Sequence, residues 1–206
     1  MLLYTSFIAF VLLVSTNAQM QRQCTCGEFN PCFASASNVA EACADRCQSH
    51  VAATGASYPA VRQCIMAQAG RIRQVISCSR ASFGAVCAPG PGHTVPKRYP
   101  ETTQIAAMRQ IQGMLAQSGL LGEASALIQA GKSTFGCMAK CAQSNSCVKQ
   151  LGCGLALPSD NVMISNVLRC AHQAGFTTPV VRQICSCLAN AGIRGLAPMC
   201  PRIVLN

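Results

Sequence analysis

Ten of the sixteen cysteines in this 206-residue chain fall into two matching series of five. One series is Cys26, Cys32, Cys47, Cys64 and Cys78, and the other is Cys147, Cys153, Cys170, Cys185 and Cys200. The residues between them agree as well. Asn38-Val39 leads to Arg46-Cys47 as Asn161-Val162 leads to Arg169-Cys170, and Pro59-Ala60-Val61-Arg62-Gln63-Cys64 echoes Pro179-Val180-Val181-Arg182-Gln183-Ile184-Cys185. Spaced cysteines together with a shared proline-led segment point to an internal duplication. On that reading the helices around Cys47 and Cys170, and around Cys64 and Cys185, are equivalent, and most bridges stay within their own half. Six cysteines lie outside the series: Cys24, Cys43, Cys87, Cys137, Cys141 and Cys187. Because five is odd, at least one matched cysteine in each half must pair with an unmatched one or cross to the other half. Cys43/Cys47 and Cys137/Cys141 each place two thiols one helical turn apart, which predicts a helix tied to two neighbours.

The first eighteen residues read as a secretion signal. Leu2 to Val14 form an apolar run interrupted only by Thr5 and Ser6, and Thr16-Asn17-Ala18 supplies small residues for cleavage after Ala18. The run is too short for a membrane span, no later segment is apolar enough for one, and no C-terminal anchor signal is visible, so the expectation is a secreted, extracellular protein. In an oxidising compartment thiols persist as disulfides, and an even count lets all sixteen pair, giving eight bridges. The close pairs Cys24-Thr25-Cys26 and Cys185-Ser186-Cys187 belong to no spaced Cys/His set, so neither a metal nor another cofactor is expected.

A cysteine-free interval runs from Ala88 to Gly136. Its Pro/Gly-rich start, Ala88 to Pro96, reads as an exposed connector. Ile105, Met108, Ile111 and Leu115 then recur at helical spacing up to Gly119, and Leu120, Leu121, Ala124, Leu127 and Ile128 repeat the pattern up to Gly131. Within the repeats, Tyr58-Pro59 and Thr178-Pro179 look like an N-cap followed by proline at the first helical position, with Gly70 and Gly192 as stops. The predicted fold is mainly α, with disulfide-rich short helices in two pseudo-repeated halves around a central cysteine-free helical segment. The expected organisation is a signal peptide (1–18), a first cysteine-rich repeat (19–87), a linker (88–100), an amphipathic helical segment (101–136) and a second repeat (137–206).

Charge is the other global signal. The sixteen Lys and Arg against six Asp and Glu give +10, and residues 19–100 and 101–206 each carry eight basic and three acidic side chains. Such a surface attracts sulphated glycosaminoglycans or acidic extracellular glycoproteins. Arg62, Arg71, Arg73 and Arg80 are the candidate polyanion-binding cluster. No nucleic acid is expected, because the Tyr and Phe residues follow no stacking motif. The sequence does not fix an oligomeric state.

Other fragments fail on context. Gly131-Lys132-Ser133 resembles the tail of a phosphate loop, but Ala126 stands where its first glycine belongs. His50 and His172 read as turn or packing residues. Glu28, Glu41, Asp45, Glu101, Glu123 and Asp160 form no evident acid/base pair, so no catalytic residue is nominated and no enzyme is expected. Lys97-Arg98 reads as a solvated basic pair ahead of Tyr99-Pro100, with dibasic cleavage as the alternative. Asn145-Ser146-Cys147 is the rare cysteine form of a glycosylation sequon.

The segments Cys24-Thr25-Cys26 through Cys47-Gln48-Ser49-His50, Val95-Pro96-Lys97-Arg98-Tyr99-Pro100-Glu101-Thr102 and Cys153-Gly154-Leu155-Ala156-Leu157-Pro158-Ser159-Asp160-Asn161 resemble a family of secreted cysteine-rich nematode proteins with a chondroitin proteoglycan 4-like domain. The resemblance covers most of the mature chain and implies a matrix- or eggshell-associated role. Chondroitin carriers attach their chains at Ser-Gly sites near acidic residues. This chain departs from that pattern, with one Ser-Gly, Ser118-Gly119, and only Glu123 close by. The expected function is a non-enzymatic structural or interaction module of the extracellular matrix. The alternative is a saposin-like lipid-binding or membrane-active protein, favoured by Ala-rich helices, cysteines and positive charge.

Overall fold

In a computed structural model, residues 19–34 and 36–205 are described. The expected signal segment lies outside them. The chain is mainly α. In order it forms β1 (Met20–Arg22), α1 (Cys26–Ala34), α2 (Ala36–Arg46), α3 (Gln48–Ala52), α4 (Tyr58–Met66), α5 (Ala69–Phe83), β2 (Thr94–Pro96), α6 (Pro100–Gln117), α7 (Leu121–Ser144), α8 (Cys147–Gln150), α9 (Asp160–Gln173) and α10 (Thr178–Asn190). Two 3₁₀ turns follow, at Arg194–Leu196 and Cys200–Arg202.

The bridges overturn the expectation that each half is stapled within itself. Cys24–Cys153, Cys43–Cys141, Cys47–Cys137, Cys64–Cys187 and Cys78–Cys170 all cross between the halves, whereas Cys26–Cys87 and Cys185–Cys200 stay within one. Cys32 is also disulfide-bonded, and there is no free cysteine among the described residues. The double-thiol turns differ from expectation too. Instead of tying one helix to two neighbours, Cys43/Cys47 and Cys137/Cys141 pair with each other, so the end of α2, from Cys43 to the Cys47 that follows its last turn, is held to α7 by two staples. Structural equivalence of the two series is partial: Cys64 and Cys185 both lie in proline-led helices, but Cys78 sits in the long α5 and Cys200 in a 3₁₀ turn.

Cystine substitutes for much of a hydrocarbon core. Of the five largest side chains with under 2% exposure, four are Cys24, Cys43, Cys47 and Cys170, and the fifth is Leu120. Two small apolar clusters stand beside the cystines among the described residues. One gathers Phe29 and Val86 around Cys24–Cys153, with Phe33, Phe83, Leu151 and Leu155 against it. The other joins Leu120 and Ala124 of the α6–α7 corner to Met199, flanked by Leu115, Leu127 and Leu196. Of the apolar stripe in the amphipathic segment, Leu115, Leu120, Ala124, Leu127 and Ile128 pack here, whereas Ile105, Ile111 and Leu121 are exposed.

Local signals were off in instructive places. The connector 88–100 is not uniformly exposed: Thr94–Pro96 pairs antiparallel with Met20–Arg22, and Val95 is buried. On its other side the N-terminal stretch meets the second half, where the Gly154 amide donates to the Arg22 carbonyl at 2.8 Å and the Cys24 amide to the Gly154 carbonyl at 2.8 Å. Gly131 does not end a helix, and α7 runs through it to Ser144. Gly70 lies inside α5. The helices α4 and α10 start at Tyr58 and Thr178, so Ser57 and Thr177 occupy the N-cap positions. Gly119 and Gly192 are stops as expected. Gly192 has φ of +114°, and a Cβ there would lie 2.8 Å from both the Ala56 Cα and the Gly55 carbonyl oxygen. The Ser57 amide donates to the Ala191 carbonyl at 2.8 Å in the same place, so the C-terminus of α10 meets the turn before α4 backbone to backbone.

Candidate functional site

The four candidate arginines do not converge. Arg62, on α4, lies between two carboxylates of α2: its Nε donates to Asp45 Oδ1 at 3.3 Å and its Nη2 to Glu41 Oε2 at 3.5 Å. Tyr58 donates to the same Asp45 oxygen at 2.5 Å. That phenol bond, followed by the Arg62 charge, holds the Asp45 carboxyl below its usual range, while burial and the neighbouring carboxylate push the Tyr58 phenol up.

The remaining three arginines lie on α5 but face different ways. Arg71 bonds the Gln68 side-chain oxygen at 2.7 Å, and its Nε lies 3.6 Å from where a Cβ at Gly175 would sit, just beyond α9. At the other end of the helix, Arg169 of α9 donates to Ser82 at 2.7 Å, and Cys78–Cys170 lies between the two contacts. The helices α5 and α9 therefore run antiparallel, with Arg71 on the packed side. Arg73 and Arg80, seven residues apart, lie two turns apart on another stripe. Arg80 is seated over the Phe33 ring, 4.6 Å from its centroid, and donates to Asn30 Oδ1 at 3.1 Å. Arg73 is exposed and has no polar partner among the described residues.

Sequence reading also missed what the carboxylates do. Arg22 pairs with Glu28, Arg62 with Glu41 and Asp45, Arg98 with Asp160, and Arg202 with Glu123, so four arginines take five of the six acidic side chains. Glu28 closes a capping box at the start of α1, accepting from the Thr25 amide at 2.9 Å and its hydroxyl at 2.8 Å. The Arg22 guanidinium, then these Thr25 bonds, bring the Glu28 carboxyl down to about 2. Thr25-Cys26-Gly27-Glu28 was the readable signal for this cap. Asp160, in the first turn of α9, accepts from Thr103 at 2.6 Å and from Arg98, whose guanidinium also donates to the Leu157 and Pro158 carbonyls. Bonds from Thr103 and Thr102, then Arg98, hold its carboxyl low. Arg98 is thus a tether between β2 and α9, not a solvated basic residue.

A cleft of about 380 Å³ opens beside that tether, lined by Thr102, Ile105, Ala106 and Arg109 of α6 and by Ser159, Asp160 and Asn161. The other fragments are occupied locally. Ser118 shares two 3.2 Å bonds with the backbone of Val204, the Asn145 amide donates to the Cys141 carbonyl at 2.8 Å, and Gly131-Lys132-Ser133 lies within α7. His50 and His172 are exposed on separate helices. Among the described residues no group of three or more His, Cys, Asp or Glu is placed to hold a metal ion, and no helix is long and apolar enough to cross a membrane.

No protein-family model, curated protein or solved structure matches the chain.

Proposed function

We propose that the protein is a secreted, non-enzymatic interaction module of the extracellular matrix that recognises acidic glycans through its basic surface. The observation that carries the reading is the distribution of charge. With five carboxylates already paired to four arginines, the other basic side chains have no ion-pair partner among the described residues, and the +10 excess is presented without local neutralisation. The carboxylates whose titration is shifted are all lowered, which suits structural anions and is opposite to what a general acid at neutral pH needs. The resemblance of the cysteine-bearing segments to chondroitin proteoglycan 4-like proteins points to the same setting. Because the Ser118 hydroxyl holds the backbone of Val204, the role we assign is recognition of glycan rather than carriage of it.

Arginine forks match sulphate oxygens, and the attraction is screened once the Debye length falls to about 10 Å at 0.1 M salt. The test is retention on immobilised chondroitin sulphate across a salt gradient. Wild type is retained at low salt, the Arg73→Gln/Arg80→Gln variant elutes at lower salt, and Arg62→Gln/Asp45→Asn, which removes both partners of an ion pair and leaves the net charge unchanged, elutes close to wild type. Wild type passing through unretained at low salt overturns the reading.

A further inference from the structure

The outward stripe of α5 carries more than charge. Arg73, Ile76 and Arg80 follow one another at three- and four-residue steps, with Ile72 one turn before Ile76. Ile72 and Ile76 are 36% and 43% exposed, and Ile65 and Met66, in the last turn of α4 just before α5, are 43% and 38% exposed. Four large apolar side chains therefore stand in water on consecutive turns of chain, interleaved with two arginines that have no carboxylate partner among the described residues. A sulphated glycan would satisfy the arginines and leave the isoleucines wet.

We propose that this α4–α5 face docks on an anionic lipid surface, with Ile72, Ile76, Ile65 and Met66 entering the headgroup boundary and Arg73 and Arg80 taking lipid phosphates. Aliphatic side chains bordered by arginine on one side of a helix form the pattern that lies in a bilayer interface, buried to a depth of roughly 5–10 Å. The opposite side of α5 is already fixed to α9 by Cys78–Cys170, so the face is presented as formed helix and no ordering cost attends docking. The net +10 of the whole chain brings it to a negatively charged leaflet. The inference shares Arg73 and Arg80 with the glycan reading, and the exposed isoleucines are the observation that separates the two.

The test uses co-sedimentation of the whole oxidised protein with vesicles of phosphatidylcholine alone and with added phosphatidylserine. Binding is expected only to the anionic vesicles. Arg73→Gln/Arg80→Gln should weaken it roughly thirtyfold, from about a factor of five per cation near the surface. Ile72→Ser/Ile76→Ser, which leaves every charge in place, should weaken it about tenfold or more. Circular dichroism and the intact disulfide-bonded mass establish that each variant is folded. The chain contains no tryptophan, so Ile76→Trp is a reporter without background. Its emission should shift to the blue and be quenched by brominated acyl chains on anionic vesicles, and should not shift with chondroitin sulphate. Vesicle binding unaffected by the isoleucine changes, or emission from the Ile76→Trp variant that stays that of a water-exposed indole, overturns the proposal. Equal loss of the arginine variant on vesicles and on chondroitin sulphate with no emission shift assigns the face to glycan instead.

Discussion

Removing the Cys47–Cys137 bridge while Cys43–Cys141 stays closed is expected to cost about 2.7 kcal/mol, not the ~4.6 kcal/mol that a separation of 90 residues implies in the chain-entropy account of disulfides. The reason is topological. In the unfolded variant the chain still runs four residues from Cys47 to Cys43, crosses the remaining bridge, and runs four more from Cys141 to Cys137, so the constraint removed is closure of a loop of only ~10 residues. Cys185–Cys200 has a separation of 15 and no shorter route through the other defined bridges, so its removal is expected to cost about 3 kcal/mol. The bridge between the halves and the short local one should therefore destabilise to nearly the same extent. The assay is denaturant unfolding of the Cys47→Ala/Cys137→Ala and Cys185→Ala/Cys200→Ala variants. Three of these four cysteines are buried and Cys137 is half-buried, so the lost packing is comparable. Removing both α2–α7 staples should cost more than twice either one, because the next route round the loop is longer. If the Cys47/Cys137 variant is less stable than the Cys185/Cys200 variant by about 1.5 kcal/mol or more, the two α2–α7 bridges do not share one loop and the reasoning fails.

Further outcomes follow from single contacts. Gly192→Ala places a Cβ into the backbone of Gly55–Ala56 at a positive φ, and should lower stability by at least ~2 kcal/mol in thermal or denaturant unfolding, whereas Gly113→Ala, in the exposed interior of α6 with open space for a Cβ, should raise it by up to ~1 kcal/mol. Glu28 has a carboxyl lowered to about 2 from 4.5, so its stabilisation is complete above pH ~4.5 and is lost as the pH falls toward 2. Acid unfolding of Glu28→Gln should accordingly be flatter than wild type across that window, measured by circular dichroism. Because the Lys97 amide is bonded to the Gln19 carbonyl at 2.6 Å and Arg98 is bound to Asp160, a dibasic-specific protease should leave the native chain whole and cut it after Arg98 once it is reduced, read by mass.

The α class was legible because it is a matter of local periodicity and composition. Ile105, Met108 and Leu115 announced α6, and Gly119 its end, without reference to the rest of the chain. Where a long-range contact decides, the local signal misled. Gly131 argues for a stop at a cost of ~1 kcal/mol, but α7 continues to Cys137 and Cys141, one turn apart, where two disulfides hold it in place. The pairing itself could not be read, since sequence spacing is symmetric between the halves and the bridges are not. The arginines failed for a related reason: spacing placed Arg62 near Arg73 and Arg80 in sequence, while Glu41 and Asp45, from a helix twenty residues earlier, neutralise it. The exposed isoleucines of α5 were visible at positions four apart, but an apolar pair on a helix reads as core until the packed side is known to be the other one.

Five bridges that join the halves also dictate the order in which this protein can be made. Cys24 waits for a partner 129 residues downstream and Cys64 for one 123 downstream, which at ordinary synthesis rates is a delay on the order of 10 s after each first thiol emerges. Until the second half emerges, Cys24, Cys26, Cys32, Cys43, Cys47, Cys64, Cys78 and Cys87 have only each other to react with, and the defined bridges contain one pair among them, Cys26–Cys87. Full bridging therefore has to wait for the second half and for thiol exchange to undo early mispairing, and among the defined bridges Cys26–Cys87 alone joins two first-half cysteines that a nascent chain can pair before the second half arrives.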